Sequence, residues 1–442
     1  MFAASSVSIH VLGASSTTGG CAFTARRAGG MRLMGGPRTL RVQASSGPPA
    51  APKGRRTSVQ ALVSAGQEAA VRAAALALTV AQLTSIGAAM PPAAEALLSS
   101  PKTQIARTPD AALRRSVPAF NPVLGEAQSK MEDIAYLLRI PQRKPWDKMA
   151  KEAEAVTSSL RDADLALAGL PEDKRAEGEE LLLDIEDELR RARVHIDAQD
   201  ADRLSVRLAE VLALISRLEI LEAPSLSFSI PSRYDSLPRL TGRATVEMTV
   251  RRGGGGGDFV LDAGGGGKRE AVITLELDGY SAPLTAGNFA DLVKRRQFDG
   301  IKLAPSPSAI EARASKAPSR DLPLEVWDKG EFEPRYRSPL EVLEGDVPVL
   351  PLSVYGALAQ ASSYDAEGLS DPSQWFIFKF DKANSGLGGL AFDEGNFSVF
   401  GYVTGGLEAI GQVRPGDVIT SARLVAGGER LAVPGGGAGA AG

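Results

Sequence analysis

Apolar residues recur every three or four positions between about residues 122 and 222, which is the period of an α-helix. Each run of such residues would form one apolar stripe along one face of a helix. The four stripes are Ala127, Met131, Ile134 and Leu138; Trp146, Met149, Ala153, Val156, Leu160, Ala163 and Leu167; Leu182, Ile185, Leu189, Ala192 and Ile196; and Leu204, Leu208, Val211, Ile215 and Leu218. Because the segments between the stripes are short, the pattern predicts antiparallel neighbours packed as a four-helix bundle.

The period changes after residues 223–240, APSLSFSIPSRYDSLPRL, where three prolines and several serines predict an extended linker. Residues 243–250 and 271–278 alternate apolar and polar side chains, as paired strands do. Residues 282–300 return to a helical pattern, with Thr285 as the predicted N-cap, and short strands and turns follow. The order of strands, helix and strands favours a closed β-barrel that carries helices.

The first 96 residues differ in composition from the rest of the chain. Residues 1–60 contain no Asp or Glu and are rich in Ser, Ala, Gly and Arg, which is typical of an organelle transit peptide. An apolar run at 73–90 follows, and Ala94-Glu95-Ala96 matches the A-x-A pattern of a signal-cleavage site. A membrane span is the alternative for a run of about 18 residues. Two successive signals predict delivery through the chloroplast to the thylakoid lumen, with no stable transmembrane segment in the mature form.

Charge and residue inventory narrow the classes of function. Nine of the 50 Lys and Arg but only two of the 53 Asp and Glu fall in residues 1–96, so the rest of the chain holds 41 basic and 51 acidic side chains. This acidic body argues against nucleic acid or an anionic membrane surface as the main partner. The one cysteine, Cys21, and His10 lie in the first stretch, which leaves His195 as the single later imidazole. Disulfides, Cys/His metal sites and Ser-His-Asp chemistry are therefore not expected, and no cofactor or metal is predicted.

These changes along the sequence predict an α+β multidomain chain, in which an N-terminal four-helix bundle precedes a closed β-barrel with flanking helices. The predicted segments are a bipartite targeting peptide (1–96), a region with the four-helix bundle (97–222), a linker (223–241), a β domain (242–434) and a Gly/Ala tail (435–442).

Three motifs in the C-terminal half resemble those of the cyclophilin family of peptidyl-prolyl cis-trans isomerases. They are LDGYSAPLTAGNFADLV at 277–293, SQWFIF at 373–378 and FSVFGYV at 397–403, similar to the family's P-x-T-x-x-N-F helix and its S-Q-F-F-I and H-x-V-F-G-x-V strands. With the double targeting signal and the helical bundle, the chain resembles the multidomain thylakoid-lumen cyclophilins of plants and algae. The resemblance implies a bundle packed against an eight-stranded barrel, and a role with photosynthetic complexes, notably in photosystem II assembly and maintenance.

The resemblance also assigns six candidate positions for binding a proline-containing peptide, which are Gln374, Phe376, Phe392, Phe397, Ala359 and Gln360. The first two fall on positions of the proline pocket and keep the family's residue types. Phe392 stands where cyclophilins often carry Trp, and Phe397 stands where they carry His. In the stretch that binds the peptide backbone, Gln360 replaces the usual Asn or His. The resemblance therefore implies an apolar floor for a proline ring with a reduced polar rim.

The family's catalytic donor has no matching residue in this sequence. Rotation about an X-Pro bond faces a barrier of ~18–20 kcal/mol, because conjugation gives the C–N bond partial double-bond character. A donor that binds the prolyl nitrogen more strongly in the twisted state than in the planar state lowers this barrier. Cyclophilins supply it with an Arg, but alignment from Gly300 puts Pro305 at that position, and Pro has no donor. Arg313 is close in sequence, yet nothing in the sequence places it in the pocket.

Two functions remain open. In the first, the chain is a cyclophilin-type protein with weak or lost isomerase activity that binds proline-containing segments of lumenal polypeptides or photosynthetic complex subunits, as a chaperone or scaffold. The alternative is an active isomerase with rearranged catalytic residues, regulated by its helical bundle. The missing Arg favours the first, because loss of one such donor typically costs ~10²–10³ in rate. In a third interpretation, the bundle is itself a subunit-like module of a photosynthetic complex. Four amphipathic helices neither support nor exclude this interpretation.

The segment at 321–352 is long for a loop of this family and repeats Pro-Leu-Glu-Val at 323–326 and 339–342. A long loop of this kind is either a structural elaboration, a cover over the pocket or a site for a partner.

Overall fold

The computed structural model describes residues 105–434 except 142, 255–256, 262–265, 365 and 387–388. The predicted targeting peptide with its apolar run, and the Gly/Ala tail, lie outside the described residues. Within the described part of the chain, no helix is long and apolar enough to cross a lipid bilayer.

Helices make up most of the described chain up to residue 222. They are α1 (Pro109–Ser116), α2 (Pro122–Leu138), α3 (Trp146–Leu160), α4 (Ala163–Ala166), α5 (Arg175–Asp197) and α6 (Ala201–Glu222). Four of them begin with a side chain that accepts a hydrogen bond from a backbone N–H of the first turn, and these capping residues are Thr108, Asn121, Asp162 and Asp200. Such caps satisfy backbone donors that have no partner inside the helix, which fixes where each helix starts.

The four long helices share one apolar core. Helix α2 packs against α3 and α6, and α5 packs against the same two helices. The residues of the predicted stripes are buried or half-buried in this core, with one exception. The prediction is wrong at Ala163, because α3 already ends at Leu160 and Ala163 begins the separate helix α4 with its side chain exposed.

The chain from residue 239 onward is β-rich. Its strands are β1 (Arg239–Leu240), β2 (Arg243–Arg251), β3 (Glu270–Asp278), β4 (Ala304–Pro305), β5 (Ala309–Arg313), β6 (Leu322–Pro323), β7 (Glu325–Val326), β8 (Arg335–Tyr336), β9 (Ala357–Ser362), β10 (Leu369–Phe378), β11 (Val399–Gly405), β12 (Val418–Ala426) and β13 (Leu431–Ala432). Among the described residues, two α-helices lie between them, α7 (Pro283–Lys294) and α8 (Leu407–Ile410). Helix α7 begins after Ala282, so the prediction of Thr285 as its N-cap is wrong.

The main sheet has the strand order β12-β2-β3-β11-β9-β10-β5-β4, with β6 paired to β10. Its two edges approach each other. The amide of Gly300 donates to the carbonyl of Ile419 at 2.7 Å, and the amide of Leu303 donates to the carbonyl of Asp417 at 2.9 Å. The sheet is thus a curled half-barrel around an aromatic core, whose rings belong to Phe289, Phe298, Trp375 and Phe400.

Helix α1 precedes the long helices in sequence but packs into the β-rich domain. Its residues Ala112 and Leu113 belong to the same apolar core as the curled sheet, and α1 contacts β11. At its last residue, the Ser116 hydroxyl donates to the Asp278 carboxylate. Arg243 donates to the Ser116 hydroxyl oxygen at 2.9 Å and pairs with Asp278 at 3.1 Å. The apolar contacts and this buried polar cluster bind α1 to β2 and β3.

The predicted linker, residues 223–240, also packs against the β-rich domain. It contains a short 3₁₀-helix, Ser232–Tyr234, and its last residues form β1, which pairs with β13. Its buried side chains meet α7 and β6 in a small apolar cluster, which consists of Tyr234, Leu237, Leu284 and Leu322. The segment connects the two parts of the chain, and it is held along its length by the second part.

Candidate active site

The aromatic run of β10 divides between two sides of the sheet, because successive side chains of a strand point in opposite directions. Trp375 and Ile377 are 1% and 2% exposed and belong to the enclosed core. Gln374 and Phe376 therefore point to the opposite side, where Phe376 is 9% exposed. Trp375 and Ile377 thus fill the enclosed core, whereas Phe376 lies at the edge of the same core and Gln374 is half-buried on the opposite side of the sheet.

Neighbouring strands extend this side of the sheet. Ala359 of β9 lies opposite Phe376, and Val399 of β11 lies opposite Ala359. Cross-strand partners share one side of a sheet. Phe397, two residues before Val399, packs edge-on against Phe376 with ring centroids 5.2 Å apart and an interplanar angle of 85°. We call the surface formed by Ala359, Gln374, Phe376 and Phe397 the Phe376 face. It brings together four of the six positions predicted from the sequence.

The other two predicted positions, Gln360 and Phe392, are not part of the Phe376 face. Gln360 is 1% exposed and lies in register with Trp375, and its side-chain amide donates to the carbonyl of Asp371 at 2.5 Å. It therefore links β9 to β10, and its backbone amide donates to the carbonyl of Ser398 at 3.0 Å. Phe392 is 79% exposed, and within the described residues its ring makes no aromatic contact with Phe376.

Pro305 occupies the second and last position of β4, at the edge of the sheet. It pairs with Ile310 of β5 and is half-buried. Its ring nitrogen carries no hydrogen, and its side chain carries no polar atom. This residue therefore supplies no hydrogen-bond donor to a bound peptide.

The structure places a cation beside the Phe376 face that sequence reasoning could not position. Arg313 ends β5 and lies directly opposite Gln374 in β10. Its Nη2 atom donates to Oε1 of Gln374 at 2.8 Å and to Oδ2 of Asp371 at 2.6 Å. Gln374 in turn donates from Nε2 to the Glu311 carboxylate at 3.3 Å. The strand register was the missing information, because it depends on pairing between segments about 60 residues apart.

The long loop 321–352 is tied to helix α7 by a buried carboxylate. Glu325 is 1% exposed and accepts hydrogen bonds from the amides of Leu284 and Thr285, at 3.2 and 2.8 Å, and from the Thr285 hydroxyl at 2.8 Å. Burial raises the pKa of Glu325 to about 7, although these donors oppose the shift. A carboxylate at a helix N-terminus satisfies free backbone donors and interacts favourably with the helix dipole. The loop is therefore an integral part of the domain near the site.

A second buried carboxylate holds the segment that precedes Phe397. Glu394 is 5% exposed and accepts hydrogen bonds from the amides of Leu352 and Ser353 at 2.6 and 2.8 Å. The Ser353 hydroxyl also donates to it. Burial raises the pKa of Glu394. These contacts join the end of the long loop to the turn that leads into the Phe376 face.

Comparison with known families matches two separate parts of the chain. Residues 108–221 match the family description "Peptidyl-prolyl cis-trans isomerase CYP38-like, PsbQ-like domain". Residues 267–426 match the description "Cyclophilin type peptidyl-prolyl cis-trans isomerase/CLD". The first match covers the described helical part from α1 to α6, and the second covers most of the β-rich domain, including every residue of the Phe376 face.

Full-length relatives match across both parts. The chain is 46% identical over 347 residues to Peptidyl-prolyl cis-trans isomerase CYP37, chloroplastic, of Arabidopsis thaliana, which covers 77% of this chain and 74% of the relative. It is 35% identical over 340 residues to a Synechocystis protein named as a thylakoid lumen peptidyl-prolyl cis-trans isomerase, at 73% and 83% coverage. A third relative, CYP38, chloroplastic, of Arabidopsis thaliana, is 28% identical over 393 residues, at 82% and 86% coverage. These names confirm the predicted localisation, the chloroplast thylakoid lumen, and the resemblance to multidomain lumenal proteins of this kind.

Proposed function

The chain belongs to the cyclophilin-type family of peptidyl-prolyl cis-trans isomerases. On this premise we propose that it binds proline-containing segments of lumenal polypeptides on the Phe376 face. We further propose that it isomerises the bound segments weakly or not at all. Its role is that of a chaperone or scaffold for the assembly or maintenance of a photosynthetic complex, with photosystem II as the first candidate. The observation that carries the proposal is the apolar Phe376 face, together with the lack of a hydrogen-bond donor at Pro305, which stands at the family's Arg position in the sequence.

Binding of a proline ring needs mainly apolar contact, and the Phe376 face supplies it. Phe376 and Phe397 place two rings on one side of the sheet, where Ala359, which is 0% exposed, lies opposite Phe376 in the neighbouring strand. Burying apolar surface contributes about 25 cal/mol for each Å² removed from water. No covalent bond forms or breaks, and no metal or cofactor is needed for a peptide to bind there.

Turnover has a stricter requirement than binding. The lone pair that returns to the prolyl nitrogen in the twisted state must meet a donor that is already aimed at it. Neither the Pro305 ring nor the Phe397 ring carries such a donor, and Phe397 stands where the resemblance expects His. We therefore expect an isomerisation rate at least ~100-fold below that of an ordinary cyclophilin, which is the loss typical for one missing donor.

The alternative, an active isomerase with rearranged catalytic residues, has one observation in its favour. Arg313 lies in hydrogen-bond contact with Gln374, at the rim of the Phe376 face. The two functions differ in rate rather than in binding, so a single experiment separates them.

The experiment is exchange NMR on the mature chain with a short Ala-Pro peptide, without a coupled protease. The expected result is that resonances of β9, β10 and β11 shift on titration, while cis-trans exchange of the peptide is at least ~100-fold slower than with an ordinary cyclophilin. Exchange at the ordinary rate would establish the active enzyme. Absence of any shift in these strands would remove the binding function. A photosynthetic strain that lacks the protein tests the wider role, since photosystem II should then accumulate more slowly.

Two finer features of the fold belong to the same proposal. Helices α2, α3, α5 and α6 form a four-helix bundle, supported by the two neighbours that each of them contacts. The curled sheet closes into a barrel, supported by the hydrogen bonds between residues 300–303 and 417–419. The boundaries 97–222, 223–241 and 242–434 remain predictions. The separate apolar cores support a change of domain near residue 222, whereas α1, which lies inside 97–222, belongs to the core of the sheet.

A further inference from the structure

Arg313 and Gln374 lie on the same side of the sheet. The register of β5 and β10 places Arg313 opposite Gln374 and Glu311 opposite Phe376. Directly opposed residues of antiparallel strands point to one side of a sheet, with their Cβ atoms about 4.5–5.5 Å apart. The guanidinium group therefore extends from the strand next to the Phe376 face, on the side where a bound proline would lie.

The guanidinium group is held in one orientation. Its Nη2 atom donates to Asp371 at 2.6 Å and to Gln374 at 2.8 Å. Asp371 is itself fixed, because its other carboxylate oxygen accepts from the amide and the hydroxyl of Ser373 at 2.9 and 2.7 Å. A planar guanidinium with two anchored hydrogen bonds loses most of its freedom to rotate. The sequence provided no reason to expect a fixed orientation of the Arg313 guanidinium, and these hydrogen bonds supply one.

Three of the five N–H groups of Arg313 remain available. Arg has one N–H on Nε and two on each terminal nitrogen, and both hydrogens of Nη2 are used by Asp371 and Gln374. Among the described residues no acceptor bonds Nε or Nη1, and the side chain is 57% exposed. An ion pair this exposed contributes little to folding stability. The arrangement is therefore poorly explained as a device for stability alone.

We propose that Arg313 is the donor of this site in place of the residue that Pro305 replaces, and that it carries whatever isomerisation the chain performs. Its free N–H groups bind the prolyl nitrogen, whose lone pair becomes available as the X-Pro bond twists, while Gln374 and Asp371 hold the guanidinium. No bond is formed or broken, and no proton is transferred. This inference rests on the proposed function, because it needs a peptide bound to the Phe376 face.

The neighbouring carboxylate limits how strong this donor can be. Asp371 is 19% exposed at the side chain and pairs with Arg313 at 2.6 Å, so it offsets part of the positive charge. A partly neutralised and solvent-exposed cation stabilises a developing lone pair less than a buried one does. A weak residual rate, rather than full activity, is the outcome that this geometry supports.

The test compares four variants of the full chain by exchange NMR with a saturating Ala-Pro peptide. Arg313→Ala should lower cis-trans exchange of the bound peptide by ~10-fold, less than the ~10²-fold of a full donor because Asp371 offsets part of the charge, with a loss of affinity below ~3-fold. The exchange rate of Arg313→Lys should lie between those of Arg313→Ala and the unaltered chain, since Lys keeps the charge but lacks the planar guanidinium. Arg423→Ala is the matched control, because Arg423 is also a strand arginine paired with an aspartate, Asp299, at 2.9 Å. It should change neither quantity.

Asp371→Asn separates a donor from a merely positioning residue. This variant removes the ion pair but keeps the guanidinium. The cis-trans exchange rate of the bound peptide should therefore stay within about threefold of that of the unaltered chain. If Asp371→Asn loses as much exchange as Arg313→Ala, Arg313 only supports the site and the inference is wrong. Unaltered exchange in Arg313→Ala would also overturn it. If the unaltered chain binds the peptide without any exchange, the proposed function stands and this inference fails; if it does not bind, both fail.

Discussion

Ser116 at the end of α1 donates a hydrogen bond to the buried carboxylate of Asp278, 162 positions further along the chain. Asp278 is fully buried at the end of β3 and also accepts from the amide of Ser281 at 2.9 Å. A buried carboxylate that has lost its water is costly unless protein donors replace it. The contact therefore makes α1 a structural part of the β-rich domain.

The first prediction tests this assignment with Leu113→Ala. Leu113 is 6% exposed in the core of the curled sheet, so its truncation should lower the free energy of unfolding of the β-rich domain by about 2–4 kcal/mol. Hydrogen exchange should accelerate at β3 and β11 amides more than at those of α5. Leu183→Ala, at a side chain of α5 that is 67% exposed, is the control and should cost less than about 0.5 kcal/mol.

A fragment of residues 242–434 gives the complementary result. It lacks α1 and also residues 223–241 with β1, so it should unfold at lower urea concentration than the same domain in the full chain. Equal stability of the domain in both settings, measured by urea titration, would show that α1 contributes nothing to its core.

The second prediction concerns pH and Glu219, which is 4% exposed in α6. Burial, together with the nearby Glu222 carboxylate, raises the pKa of Glu219 to about 8. The folded chain therefore holds a proton that the unfolded chain releases above its ordinary pKa of about 4.5. This contribution to stability is complete below pH 4.5 and is lost as pH rises towards 8.

Glu219→Gln should remove most of that dependence. At pH 8 the variant should be more stable than the unaltered chain by about 2–4 kcal/mol, with little difference at pH 4.5. Urea titrations at several pH values measure this. Glu210→Gln, at an exposed site on the same helix, is the control. A pH profile that is the same for Glu219→Gln and the unaltered chain would contradict the shifted pKa.

The third prediction concerns the carboxylate that joins the long loop to α7. Glu325→Ala leaves the amides of Leu284 and Thr285 and the Thr285 hydroxyl without their acceptor, at buried positions. The loss of unfolding free energy should be about 3 kcal/mol or more, since each unsatisfied buried donor costs about 1–3 kcal/mol. Amide exchange at 284–285 should accelerate. Glu344→Ala, at an exposed position of the same loop, should have neither effect.

The fourth prediction separates the two aromatic candidates. Phe376→Ala should weaken binding of an Ala-Pro peptide by at least ~10-fold, because it removes one of the two rings that form the face. Phe392→Ala should weaken binding less, because Phe392 is 79% exposed and apart from that face. Chemical-shift titration with the peptide measures both affinities. The urea concentration at the midpoint of unfolding, compared with that of the unaltered chain, shows whether each variant is folded. A larger loss for Phe392→Ala would move the binding site towards Phe392.

The apolar pattern of the sequence predicted burial correctly where it extends over several helical turns or over a whole strand. The stripes of the long helices and the alternation at 243–250 are buried as the period predicts. The pattern predicted burial wrongly at Ala163. Asp162 caps a new helix there, and a capping residue leaves the apolar period of the sequence unchanged. Helix α1 has only eight residues, too few to establish a period. Its burial depends on β3 and β11, far along the chain.

The candidate site was predictable in its residue types and only partly in its geometry. The motif around Gln374 and Phe376 identified the strand, and alternation in β10 decides which residues face outwards. The positions of Arg313 and Gln360 depend on the register between three strands, which no single motif contains. Phe392 was included by alignment, and its exposure follows from the path of the turn that precedes β11.

The placement of α1 has a consequence for the order in which the chain can fold. The Asn121 side chain, at the start of α2, donates to Glu222 at the end of α6 at 3.0 Å, so the two ends of the long-helix region meet. Residues 122–222 are thus an inserted domain, flanked by two pieces of one discontinuous domain. The inserted helices can complete their own core as soon as they emerge from a ribosome or a translocon. Helix α1 emerges earlier, yet it must wait for β11, near the other end of the chain, before it finds its native neighbours.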